Sequence, residues 1–313
     1  VVKSRTGHRN MSKTICLMQC HTNSKLKYDV IEHNVDYISE ICDHLVITNS
    51  LEFDLGMLES RLKRFEDKIN IDYKYYVNDH TICAGKLYEY LNDHLDFVVD
   101  NFDRCIVTND SFIVINSLIP FKEFILKNEH DLYGILSSRQ VSYHFPDFLR
   151  GYSAEGIKIL RNYMKKNLHK CSNVKDVIDI IEVNSTYAFD NLESFYPTDL
   201  SYKGNLHFDD NILREYVEKL NYPIVKLKYL NRTYYDQDHL PEDFDAFEYR
   251  RLHSDLSSLD EISIKRHFLK NGMREGRKYK KGQKSKCPIF LKNILSKEFP
   301  QISSQLTFED KNV

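Results

Sequence analysis

The chain has 313 residues, enough for one large α/β domain with a smaller appendage and a real buried core. Hydrophobic residues make up 42% and charged ones 29%, a globular balance that excludes wholesale disorder. A formal net charge of -2 provides no field to recruit nucleic acid, and no apolar run reaches membrane-spanning length.

Residues 1–10 are polar and patternless ahead of Met11; they read as an added or disordered leader and are set aside from fold reasoning. Residues 14–20 read as a buried strand that ends in the polar group His21-Thr22-Asn23-Ser24. Residues 28–42 place Val30, Ile31, Val35, Ile38 and Ile41 at helical spacing. Residues 44–47 form a second strand, again with a polar end at Thr48-Asn49-Ser50. A helix over 51–65, a strand over 69–77 and a helix over 85–95 follow, and a fourth strand over 104–107 runs into Thr108-Asn109-Asp110-Ser111. Strand and helix alternating in this way imply βαβ crossovers and a mostly parallel, Rossmann-type sheet flanked by helices. Ligands bind such sheets beyond the carboxyl ends of the strands, where the polar clusters fall here.

Past Leu118 the spacing predicts a helix over 120–127, strands over 131–136 and 143–149, and a helix over 154–166. Residues 174–181 are apolar, helical or strand-like, and end at Glu182. The first domain extends over 11–230. Residues 231–313 then hold a polar, Tyr-rich linker to about 245, two short helical patterns over 247–256 and 262–271, and a basic tail. Gly272 and Gly276 are the stop signals of that small helical appendage. The basic run over 278–286 is a solvated tail or a means of approaching a membrane or polyanionic glycan from outside.

The seven cysteines are odd in number and form no CxxC pair. Reduced, buried thiols in a cytoplasmic compartment fit this better than disulfides or a zinc site. GxGxxG, GxxxxGK[ST], GxSxG and HExxH are all absent, which removes the usual support for dehydrogenase, P-loop, serine hydrolase and zincin chemistry. Asp110, ending a strand, has the place of a carboxylate that holds a divalent cation or meets a diphosphate, although Thr108 stands where a paired acid would be. Read locally, Asn109-Asp110-Ser111 caps a following helix instead. Glu182 is either a general base aimed into a cleft or a solvated helix residue. His144, beside Tyr143, Phe145 and Asp147, is either a contact to acceptor, phosphate or metal, or a hydrogen-bonded structural histidine.

Taken in order, several segments resemble the rhamnan synthesis F family of glycosyltransferases. They are His21, Thr48, Val107 to Phe112, Asp131-Leu132-Tyr133-Gly134, Tyr143-His144-Phe145, Val177-Ile178 through Glu182, and Tyr222-Pro223-Ile224-Val225-Lys226. The likeness spans residues 14–226. It implies a GT-A-like fold, a nucleoside-diphosphate sugar donor and transfer to a glycan or glycoconjugate acceptor, with L-rhamnose and inversion as the family's best-known case. It further implies Glu182 as base, and His21, Thr48, Asn78, Thr108, Asn109 and Asp110 about the donor. Asp110 would then be the ligand of any Mn²⁺ or Mg²⁺, and His144 and Asp147 would face acceptor or phosphate. The sequence departs from the family after Asn78, where no Gly-x-Asp follows, and at Phe145-Pro146. A non-catalytic nucleotide-sugar- or glycan-binding protein on the same fold is the alternative.

Overall fold

The computed structural model describes residues 12–53, 55–77, 79–230, 239–273 and 277–309. The expected leader, Asn78, much of the expected linker and the stop at Gly276 lie outside the described residues. Two compact units are present. One runs to Asp110 and resumes over Ser117–Asn205; the other combines Ser111–Asn116 with the chain from Leu206 on.

The first unit opens with β1 (Thr14–Gln19), α1 (Lys25–Ile38), β2 (His44–Ser50), α2 (Leu55–Leu62), β3 (Asn70–Tyr76), α3 (Ile82–Asn101) and β4 (Arg104–Asn109). After β5 (Phe112–Val114), which belongs to the second unit, come α4 (Ile119–Lys127), β6 (Leu132–Leu136), β7 (Leu149–Ser153) and α5 (Ala154–Asn167). A short α6 (Val174–Asp176) continues as a π-helix over Val177–Val183, and β8 (Leu192–Tyr196) completes the sheet. The strand order is β3-β2-β1-β4-β7-β6-β8. Only β7 runs against its neighbours, so the sheet is mostly parallel and flanked by helices, as the alternating pattern required.

β1 is buried along its whole length, the signature of a strand covered on both faces. One core layer packs Ile15, Leu17, Val46 and Val107 with Leu91 of α3 and Leu160 and Met164 of α5. α5 starts where Ser153 Oγ accepts the Gly156 N–H at 2.9 Å. A Cβ at Gly156 would lie 1.9 Å from the Asp131 carbonyl, so only glycine lets the helix begin this close to β6.

The strand expected over residues 143–149 is not formed; only Leu149 joins β7, and His144 makes an isolated bridge to Ser138. The aromatic residues that suggested a strand fill the core instead. Phe145 and Phe148 are buried, and the Phe145 ring lies over Gly134, whose Cβ would meet it at 2.5 Å. Side-chain packing, not ladder pairing, sets this segment.

In the second unit β5 pairs antiparallel with β9 (Ile224–Lys226), after α7 (Asp210–Leu220) and before α8 (Leu227–Leu230). Two segments singled out in the sequence, Ser111-Phe112 and Pro223 to Lys226, thereby meet: Leu227 N–H donates to Ser111 O at 3.0 Å and Ile115 N–H to Pro223 O at 2.8 Å. The two expected helical patterns are α9 (Ala246–Leu252) and α10 (Glu261–His267), N-capped by Asp245 and Asp260 and packed about Tyr249, Ile264, Phe268 and Tyr279. The weakly patterned chain end adds β10 (Ser285–Pro288), α11 (Lys292–Glu298), α12 (Pro300–Ser303) and β11 (Leu306–Glu309), the strands pairing in parallel. Among the described residues no helix is long and apolar enough to cross a membrane, and all seven cysteines are free.

Candidate functional site

The carboxyl ends of β1, β2 and β4 lie side by side, with Gln19 opposite Thr48 on one flank and Asn109 on the other. No helix follows Asp110, so the capping alternative fails. Its carboxylate turns back across the edge: Oδ2 accepts the His21 backbone N–H at 2.8 Å and Oδ1 accepts Lys27 Nζ at 2.8 Å. Lys27 donates to the Asp110 carbonyl as well, at 2.8 Å, so one ammonium from the first turn of α1 straddles the residue. Asp110 is 3% exposed.

A second ammonium enters from α3. Lys86 is 2% exposed, and its Nζ donates to the Cys20 carbonyl at 2.9 Å and Ser50 Oγ at 3.0 Å, closing the ends of β1 and β2 together. The His21 ring lies 3.4 Å from the same Ser50 hydroxyl and edge-on to Phe53. Burial and then the Lys86 charge hold its pKa below the ordinary 6.5, Asp110 opposing, so the imidazole is neutral near pH 7. Two thiols lie within this cluster, Cys20 buried and Cys83 partly buried. Cys83 is pushed up to about 12 by desolvation first and then by Asp110, with Asp147 adding and Lys86 and Lys27 opposing. Cys20 is raised by burial, then by Asp110 and Cys83, with Lys27 and Lys86 again opposing. Asp110, Asp147, Lys27 and Lys86 therefore share one neighbourhood.

The chain enters α3 under constraint. Asp79 Oδ1 accepts the Thr81 N–H at 2.8 Å and the Thr81 hydroxyl, and Gly85 leaves room for that hydroxyl, which a Cβ would meet at 2.1 Å. Ile82 then takes a φ of 49°, a left-handed conformation that costs a β-branched residue on the order of 1–3 kcal/mol. Such strain concentrates where function demands a fixed geometry. Beside this entry a cavity of about 640 Å³ opens between α3 and α5, lined by Tyr76, Asp79, His80, Tyr88, Glu89 and His169 among others.

On the other side of β4 stands a third cation, Arg150, 3% exposed. Its guanidinium donates to the carbonyls of Phe145, of Pro146 at 3.3 Å and of Glu182 at 2.6 Å, and to Ser185 Oγ at 3.0 Å. It thus binds the His144–Asp147 segment to the π-helical turn that carries Glu182. Thr108 Oγ1 donates to the Phe148 carbonyl at 2.7 Å, which ties the same segment to β4 two residues before Asp110. His144 is buried, its Nδ1 2.8 Å from the Ser142 carbonyl; burial lowers its pKa, the Ser142 bond resists, and the Arg150 charge lowers it further.

Of the residues expected about a donor, His21, Asn109 and Asp110 meet at one edge, with Thr108 fixing the end of β4. Thr48 is fully buried within β2, its carbonyl taken by the Cys20 N–H at 2.7 Å and its hydroxyl without a protein partner, so it does not line an open surface. Asn78 lies outside the described residues. The Glu182 main chain is joined through Arg150 to the carbonyls of Phe145 and Pro146, next to His144 in the chain. Sequence reasoning passed over Lys27, Lys86 and Arg150.

The donor set at Asp110 does not fit a divalent cation. Both carboxylate oxygens accept N–H bonds, one from an ammonium, and hard cations need several free oxygens around them. Among the described residues no group of three His, Cys, Asp or Glu side chains is arranged to hold a metal ion.

No protein family matches the chain, and no curated protein matches it. Among solved structures it is similar to a Bacillus anthracis protein assigned as a glucose-1-phosphate thymidylyltransferase, in complex with sucrose, at 13% identity and a TM-score of 0.43 over 59% of this chain and 87% of that one. It is similar also to the glycosyltransferase GlyE of Streptococcus pneumoniae, at 13% identity and a TM-score of 0.42 over 95% of this chain and 74% of that one.

Proposed function

We propose that the chain is a nucleotide-sugar-dependent glycosyltransferase that passes a sugar, L-rhamnose in the reading its sequence resemblance gives, to a glycan hydroxyl with inversion. The observation that carries the proposal is the cluster of Asp110, His21, Lys27 and Lys86 at the carboxyl edge of β1, β2 and β4, where an open α/β sheet takes its ligand. The donor's diphosphate lies at that edge. Glu182 removes the proton of the acceptor hydroxyl as its oxygen attacks the anomeric carbon; the bond to the nucleoside diphosphate breaks, and the electron pair leaves with it. Support for Glu182 comes from its half-buried place on a π-helical turn and from Arg150, which ties that turn to the carbonyls of Phe145 and Pro146, between His144 and Asp147. His144 and Asp147 then contact the acceptor or the donor phosphates.

Glu182→Gln should retain nucleotide-sugar binding while transfer falls by about 10²–10⁴-fold, the usual contribution of a general base. Full transfer by the variant removes Glu182 from the mechanism. A second reading, binding of a nucleotide sugar without transfer, is favoured by the full engagement of Asp110. Calorimetry with UDP-, dTDP- and GDP-sugars, paired with a donor-turnover assay over candidate acceptors, separates the two. Binding without any turnover selects the second.

A further inference from the structure

We infer that this site is an intrinsic polyanion pocket in which the ammonium groups of Lys27 and Lys86, and not a divalent cation, neutralise the phosphates of its ligand. The inference rests on the function proposed above and specifies how that site meets its donor.

The first line of support is charge. A buried ammonium is costly unless an anion faces it. Lys86 is almost fully enclosed, yet its bonds go to a carbonyl and a hydroxyl, both uncharged. Lys27 pairs with the Asp110 carboxylate. His21 is neutral near pH 7 for the reasons given above. Lys86 is thus buried without an ionic partner while Lys27 is paired with Asp110, and the Glu52 and Asp147 carboxylates act on the same cluster without bonding either ammonium. Asp147, whose field also reaches Cys83, lies across β4 on the segment fixed by Thr108 and Arg150. An incoming diphosphate supplies the anion that the buried Lys86 ammonium lacks.

The second line is occupancy. The carboxylate that a metal would need is already bridged by Lys27 on one oxygen and by the His21 N–H on the other. The ammonium has the place and charge sign that a metal would have there. It reaches the Asp110 carbonyl too, which holds it over the edge instead of letting it swing out to solvent. At 21% side-chain exposure Lys27 remains accessible to a ligand, while Lys86, 2% exposed, lies deeper beside it.

The test uses the full chain and calorimetry with UDP, dTDP and GDP as probes, first in excess EDTA and then with Mn²⁺. The expected result is that at least one diphosphate binds in EDTA, with a Kd changed no more than about twofold by Mn²⁺. Lys86→Met should weaken that binding about 10–100-fold, the range for losing a charge-assisted hydrogen bond, and Lys86→Arg should recover part of it. Lys27→Met should weaken binding in EDTA about tenfold and make it responsive to Mn²⁺, because it frees an oxygen of Asp110. Should Lys86→Met fail to fold, the Lys27 variant, at a partly exposed position, carries the test alone.

Binding by the native chain that appears only with Mn²⁺ overturns the inference and leaves the glycosyltransferase proposal standing. So does native-strength binding by Lys86→Met, or a Lys27→Met variant that binds in EDTA as the native chain does. If no diphosphate and no sugar diphosphate binds under either condition, the proposed function falls and this inference with it.

Discussion

Lys86 and Arg150 are both buried cations within the first unit, 2% and 3% exposed, and they serve opposite ends. Arg150 spends its planar fork on three main-chain carbonyls and a hydroxyl, all within the protein. Lys86 makes two bonds to uncharged oxygens and stands beside a strand edge where ligands bind. Each adds to burial, the main cause, in lowering the pKa of a nearby imidazole: Lys86 for His21, and Arg150 for His144 against the opposing Ser142 bond. The contrast shows that burial of a charge does not decide its role. What separates the two is how the fold engages them: four bonds close around the Arg150 fork, while Lys86 makes only two, both to uncharged oxygens.

The sharpest way to break the comparison is to remove each cation in turn. Arg150→Met strands several carbonyls in a buried position and should cost about 3 kcal/mol or more, lowering Tm by roughly 10 °C in a thermal unfolding scan. A Tm near that of the native chain would show that Arg150 is not the staple described here. Acid comes next. The folded-state pKa values of His21, His144 and the deeply buried His207 are all depressed, so the neutral rings contribute stability that is present above 6.5. That stability is lost as pH falls from there through the folded values, because the unfolded chain takes up protons the folded chain refuses. Histidine NMR titration should find both His21 and His144 below 6.5, with Lys86→Met raising His21 and leaving His144 in place. A shift of both rings together would mean that the two cations are not independent. The smallest effect should be that of Lys86→Met on stability: within about 1 kcal/mol of the native chain in either direction, since a desolvated charge without an ionic partner is replaced by a side chain of similar size. A large loss of Tm would make Lys86 a staple like Arg150.

Much of the fold was legible because its strands are short apolar runs with polar ends, and the parallel sheet turns that pattern into a single edge. His21 and Asp110 were therefore visible as strand-end residues. Their bond was not, since it joins residues 89 apart in sequence. Lys27 gave no local signal among 44 lysines and arginines. Lys86 gave one that passed unread: it stands four residues before Tyr90 and next to Leu87, on the buried stripe of α3, where a charge is out of place. Tyr143-His144-Phe145 misled for a physical reason, because aromatic residues favour strands only where a ladder is there to accept them. The π-helical turn at Glu182 cannot be told from an α-helix or a strand by apolar runs alone, since the extra residue per turn is settled by tertiary packing.

The pairing of β5 with β9 has a consequence for how the chain is made. Residues 111–116 are synthesised just after Asp110 completes the strand edge, yet their partner strand does not exist until the whole of Ser117–Asn205 has followed. During translation Phe112, Ile113 and Val114, buried in the finished protein, wait as an unpaired apolar strand, the kind of segment that aggregates or recruits a chaperone. An expression boundary drawn after Asn205 would make that wait permanent; one drawn after Leu230 would end it.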